Sequence, residues 1–191
     1  MKQVMQKASD GTRFFTVDDW EELIKENDEC FPKILVRDLI LSLLAVKPDK
    51  PIYGRIMLMK QIFLLFTETL EPRGIHCQDP KFVAYDFGPY SFTVMQVVED
   101  LRFSGYISIE GRKGSRKEAF KLSKKGKISP NQFLKILSDD IIEEIRYRRI
   151  GWDQLGTDGI LRYVYEYYPK MKENSKIKNR YKDVSWGIGI A

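Results

Sequence analysis

The chain is poor in cysteine and histidine and has no long apolar run. Its two cysteines, Cys30 and Cys77, match neither a zinc-ligand spacing nor a disulfide framework, and they read as two reduced thiols. The single histidine, His76, adjoins Cys77 in a polar stretch. Adjacent side chains there diverge, so no Ser-His-Asp or Cys-His site is expected. There is neither a phosphate-cradling glycine loop nor a dinucleotide fingerprint. The longest apolar stretch, Ile62 to Phe66, is far too short to span a membrane. The first residues hold no uninterrupted apolar run followed by small residues, so no secretory signal is expected. Asp139-Asp140 and Glu143-Glu144 put carboxylates at i and i+4 on one helix face. In an early helical turn such acids read as dipole-favoured surface groups rather than as a two-metal centre. These absences together lead us to expect a cytoplasmic protein that is not an enzyme, with no metal, no cofactor and no membrane partner.

What is present is charge, and it is separated along the chain. The net charge is +5, only mildly basic. From Gly111 to Lys127, however, eight Lys or Arg face one acid, a net of +7. Asp18 to Glu29 holds seven acids and one lysine, net −6, and Lys170 to Lys182 six bases and one acid, net +5. Separated blocks of this kind point to a polyanionic partner at the basic ones. The hydrophobic share of 43% is enough for a real core. At 191 residues the chain suits one compact domain with extensions. We divide it into an N-terminal arm with an acidic helix (1–32), a core (33–128) and a C-terminal helical extension with a basic tail (129–191).

The apolar spacing predicts a largely helical chain. A helix opens at Thr16, whose side chain is placed to cap it, with Trp20, Leu23 and Ile24 on one face, and Cys30-Phe31-Pro32 breaks it. Lys33 to Val46 follows as a helix, Lys47 to Tyr53 as a loop and Gly54 to Leu70 as a long helix. Later, Ser129-Pro130 would start a helix running to Arg149, Gly151 to Gly159 would break it, and Ile160 to Tyr168 would form the last helix. Trp152, Tyr163, Tyr165, Tyr167 and Tyr168 could stack on bases or meet a partner, but at helical spacing they read mainly as core or a dimer seam.

The most informative stretch lies between. Lys81 to Phe87 reads as an aromatic-rich strand; Gly88 and Pro89 then suit a helix start, and the helix closes near Gly105. Phe92, Met95, Val98 and Arg102 fall on one stripe of that helix. Tyr106 to Glu110 and Ala119 to Leu122 read as strands around the turn Gly111 to Lys117. Helix, strand, basic turn and strand is the order of a winged helix, so the expected fold class is α+β, mostly helical, with a winged helix-turn-helix core. The turn's Arg112, Lys113, Arg116 and Lys117 are the candidate phosphate contacts. Tyr90, Ser91, Thr93 and Gln96 are the candidate base contacts on the helix, although Glu99 and Asp100 there oppose a phosphate backbone.

Three segments carry a family resemblance. Gly54-Arg55 with the helix through Leu65, Tyr85-Asp86-Phe87-Gly88-Pro89-Tyr90-Ser91, and Tyr165 to Pro169 with Asn174 to Ile177 resemble the uncharacterised prokaryotic YwgA-type proteins. More distantly they are similar to the Panacea (SocA-like) antitoxin domain. The resemblance implies a winged-helix-like fold. It also implies a rival function, binding a toxin protein or delivering one to a protease. It brings no catalytic residues. From the residues themselves we expect a transcriptional regulator that binds double-stranded DNA, in dimeric form. The alternative is a protein-binding, antitoxin-like or proteolytic-adaptor module.

Overall fold

The computed structural model describes residues 6–7, 13–14, 34–128 and 134–181, and the chain divides into two units, Met1–Pro32 and Lys33–Ala191. In the first, the short strands β1 (Gln6–Lys7) and β2 (Arg13–Phe14) pair antiparallel. The predicted acidic helix from Thr16 lies outside the described residues, as do Cys30 and the start expected at Ser129-Pro130.

The second unit is α+β and mostly helical. Helix α1 (Val36–Ala45) buries Leu39, Ile40, Leu43 and Leu44. It starts later than the predicted Lys33 because Ile34 is held in a parallel bridge to Cys77. Its first turn is closed by side chains: Asp38 accepts the Leu35 N–H at 3.0 Å and Gln78 the Val36 N–H at 3.1 Å. The expected loop from Lys47 ends in a strand, β3 (Ile52–Tyr53), which leads through Gly54 into α2 (Arg55–Leu64). Met57 to Leu64 of α2 are all buried, which makes it the central helix. It runs on as a π-helical turn (Leu65–Leu70) and a 3₁₀ turn (Glu71–Arg73), so the predicted end at Leu70 falls inside one continuous run of helical turns.

The Gly88-Pro89 segment is where the structure departs most from expectation. Val83–Tyr85 (β4) turns at Asp86-Phe87 and pairs antiparallel with Gly88–Tyr90 (β5), Tyr85 opposite Gly88. Pro89 is therefore a strand residue and not the first residue of a helix. Gly88 has φ +87°, and a Cβ there would lie 2.8 Å from the Tyr165 ring. Both the turn geometry and the close approach exclude any larger residue. Helix α3 (Phe92–Phe103) begins only after Ser91, whose hydroxyl accepts the Val94 N–H at 2.9 Å as an N-cap.

Strands β6 (Ile107–Glu110) and β7 (Ala119–Leu122) form the expected hairpin, Ile107 opposite Leu122 and Glu110 opposite Ala119. β3 adds to the far side of β7, giving a sheet in the order β3-β7-β6. Helix, strand, helix, the β4–β5 hairpin, helix, then a hairpin whose returning strand is central: this is a winged-helix order with a hairpin inserted between its second and third helices.

After the short α4 (Lys124–Ile128) comes α5 (Asp139–Tyr167), two helical segments that meet at a kink at Gly156, inside the break predicted for Gly151 to Gly159. α5 starts after Ser138, while the start predicted at Ser129-Pro130 lies outside the described residues. Between residues 151 and 159 only Gly156 leaves helical geometry, with φ 64° and ψ −177°. α5 packs Ile145, Trp152, Ile160 and Val164 into the core formed by α1, α2 and α3. Each fully buried aliphatic or aromatic side chain of this kind is worth about 1.5–3 kcal/mol. Pro169–Lys172 (α6) follows, and a 3₁₀ turn at Lys178–Tyr181 ends the described chain. Between them Asn174 donates to the Ala84 carbonyl at 3.1 Å and the Lys176 N–H to the Asp86 carbonyl at 2.9 Å, stitching the C-terminal segment to β4 and its turn. No described helix is long and apolar enough to cross a membrane.

Candidate nucleic-acid interface

The wing is a built turn. Gly111 sits at φ +84°, and a Cβ there would come within 2.5 Å of the Lys117 carbonyl, so only glycine lets the two strands part at this point. The Ser115 N–H donates to Arg112 and the Glu118 N–H to Ser115, which closes the loop. Its root is Glu118, 1% exposed. That carboxylate accepts a bidentate pair from Arg55, both bonds 2.8 Å, and the Gly114 N–H at 2.7 Å. Burial alone would push its pKa up, but the bonds from Arg55 and Gly114 outweigh burial and hold it below the usual carboxylate value. The wing is thus fastened through one carboxylate to the first residue of α2. Backbone pairing adds to this, the Gly54 N–H donating to the Glu118 carbonyl at 2.7 Å.

Beyond that root the charge is unspent. Arg112, Lys113, Arg116 and Lys117 are all exposed. Among the described residues none of the four side chains makes a hydrogen bond or an ion pair. The contrast with the rest of the unit is sharp. Arg37, Arg55, Arg73, Arg102, Arg146, Arg148, Arg149, Arg162 and Arg180 each have a carboxylate partner. Elsewhere in the basic block, Lys121 pairs with Glu110 and Lys127 with Asp49, both at 2.6 Å, and Lys125 lies over the Tyr106 ring. Of the block's eight bases, the four at the tip and Lys124 make no hydrogen bond or ion pair among the described residues.

The candidate contacts on the helix fare differently. Ser91 is fully buried, its hydroxyl engaged by Pro80 and Val94 and its N–H by the Met59 sulfur, so it does not face outward as expected. Tyr90 lies half-buried in β5, and its expected place at a helix start is corrected accordingly. Thr93 is half-buried. Gln96 is exposed but bonded to Asp100 at 3.0 Å, and Glu99 takes Arg102 at 2.8 Å. Phe92, assigned to the apolar stripe, is 61% exposed and leaves that stripe to Val94, Met95, Val98 and Leu101. The structure thus keeps the four wing residues together and disperses the four helix candidates.

Sequence reasoning missed Arg55 and Glu118, which position the wing. A signal existed, since Glu118 is the lone acid in the block from Gly111 to Lys127. Also missed was an aromatic triad beside the wing root. Tyr85, Tyr90 and Phe92 pack with ring centroids 5.0–5.6 Å apart. Burial pushes the Tyr90 phenol up, and the Arg55 charge is close enough to oppose it.

The other candidates resolve as structural parts. Asp140 and Glu144 hold Arg73, Glu144 also holds Arg148, and Glu143 holds Arg146. No group of three or more His, Cys, Asp or Glu side chains suited to a metal ion gathers among the described residues. His76 is exposed; burial pushes the neighbouring Cys77 thiol up to about 11, keeping it protonated. Tyr165 and Trp152 are core, Tyr163 and Tyr168 are half-buried, and only Tyr167 of the group is exposed. A cleft of about 490 Å³ runs between Glu68 and α5. The Glu68 carboxylate in it is already taken by Arg148, Tyr163 and Tyr168 at 2.9–3.0 Å.

Comparison with protein-family models and with curated proteins gives no match.

Proposed function

We propose that the chain is a non-enzymatic winged-helix protein that binds nucleic acid of transcription-regulator type, holding phosphates with the wing tip. The observation that carries this reading is the unpaired state of Arg112 and Arg116 in a unit that pairs its other arginines. A charged tip with no partner among the described residues is free to take one outside the molecule. Its contacts are with phosphates, which position a duplex without reading its bases. α3 adds little to such reading, because its outward polar groups satisfy one another and include two acids.

The test is fluorescence anisotropy with a labelled random-sequence duplex across a salt titration. Replacing Arg112, Lys113, Arg116 and Lys117 together with Ala should remove most affinity and lower the salt slope by up to about four. An unchanged slope would remove the wing from the interface.

One observation favours a second reading, the protein-binding adaptor. Phe103, at the end of α3, is 78% exposed, and it adjoins the acidic Glu99 and Asp100. A protein partner could cover such a face. Co-purification of a stoichiometric partner that a Phe103→Ala variant releases would support this reading.

A further inference from the structure

The triad of Tyr85, Tyr90 and Phe92 is hard to account for as packing. Tyr85 is 42% and Phe92 61% exposed, so two large rings stand in water at the turn-side end of the hairpin and the first turn of α3. A solvated apolar cluster of this kind costs free energy unless something covers it. The hairpin under it is firmly held. Lys60 donates to the Pro89 carbonyl at 2.8 Å, and the C-terminal segment bonds Ala84 and Asp86 from outside. The rings are therefore fixed in place, which lowers the entropy lost when a flat ligand stacks on them.

The neighbourhood supplies the second half of the argument. β5, which carries Tyr90, packs on α2; Arg55 at the start of α2 holds Glu118, and Glu118 holds Gly114 at the wing tip. On the other side of Arg55, Gly54 lies under the backbone of Arg116: a Cβ built on it would be 3.9 Å from the Arg116 Cα. Tyr53, next in β3, is exposed as well. The exposed aromatic rings and the wing's basic side chains are thus linked through Tyr90, Arg55 and Glu118. Such a combination suits a chain whose phosphates follow the positive charge while its bases lie open to stack. A duplex has no free base faces to offer. α3, with its self-paired Gln96–Asp100 and Glu99–Arg102, is not made to enter a groove.

We propose that the ligand of this interface is single-stranded nucleic acid, its unpaired bases stacked on Tyr85 and Phe92 and its phosphates on the wing. This rests on the wing's role as phosphate holder and adds to it the class of strand that is bound.

The experiment compares a labelled 20-mer of oligo-dT with a random duplex of equal length, at low and moderate salt, by anisotropy. The wild-type chain should bind the single strand at least ~10-fold more tightly than the duplex. The Tyr85→Ala/Phe92→Ala variant should lose on the order of tenfold or more in single-strand affinity, with duplex affinity and salt slope unchanged. Both side chains are exposed, so the fold should survive. Phe92→Trp, which keeps a stacking face, should retain binding. Equal binding of both strands by wild type and double variant, with binding still dependent on the wing, would overturn the stacking proposal and leave the wing reading intact. No binding of either strand at low salt would overturn both.

Discussion

Arg149 and the pair Arg112 and Arg116 carry the same side chain in opposite settings. Arg149 is wholly buried on α5. It donates to Asp153 at 2.9 Å and to the carbonyls of Leu43, Lys50 and Pro51 at 3.1–3.3 Å. One guanidinium there ends α1, closes the loop to β3 and ties both to the long helix. Asp153 in turn accepts Gln61 of α2 at 3.0 Å. The wing arginines donate to nothing within the described residues. Where the fold needs a charge it surrounds that charge with acceptors. The absence of acceptors at the wing is thus a departure from this molecule's own practice.

The comparison can be broken at its buried end first. Arg149→Met should cost about 3–5 kcal/mol of folding stability, because Asp153 and three carbonyls lose their donor inside the core. Chemical denaturation would measure it. A loss under ~1 kcal/mol would mean that the network is not holding the unit together.

Lys60 sharpens the contrast from the middle, since it is buried like Arg149 and lacks an anion like the wing. It is 2% exposed with one hydrogen bond, to the Pro89 carbonyl. Burial pushes its pKa down to about 7 from 10.5. Between those values the unfolded chain holds a proton that the folded chain has released, so raising the pH favours the fold. Stability should climb by about 1.4 kcal/mol per pH unit through that window, and the slope should vanish below pH 7, where both states hold the proton. Above pH 10 buried tyrosines oppose the gain; burial is the first cause of the rise in Tyr181, to about 12. Denaturation midpoints from pH 6 to 10 would show the slope, and Lys60→Met should flatten it. An equal slope in both proteins would assign the effect elsewhere.

The smallest effect is expected at the exposed end. The four-alanine wing variant should fold with stability within about 0.5 kcal/mol of wild type, even as it loses nucleic acid. A larger loss in a denaturant titration would make the tip a structural part after all.

How much of this could be read in advance depended on the range of the interactions. The wing hairpin was legible because alternation in Tyr106–Glu110 and Ala119–Leu122, with Gly111 and Gly114 between, is a local signal. β3 was not, because two residues carry no pattern and its partner Phe120 lies far along the chain. Gly88-Pro89 misled for a related reason. The dipeptide suits a helix start, and only pairing across Asp86-Phe87, under the Tyr165 ring, makes it a strand. Within the site, the four wing bases could be read from charge density. The burial of Ser91 could not, since its partner Pro80 is set by tertiary packing. The Arg55–Glu118 root likewise depends on contacts distant in sequence.

The stitch between the C-terminal segment and the hairpin has a consequence in time. Lys176 closes on Asp86 across 90 positions of chain. During synthesis at about 5–20 residues per second, the hairpin and its aromatic rings would wait on the order of 5 to 20 s for that segment to emerge. Throughout this interval β4 would offer an unguarded edge. The last described part of the chain to be made is therefore the part that finishes one of its middle elements. Folding of this unit can be completed only after Lys176 has emerged.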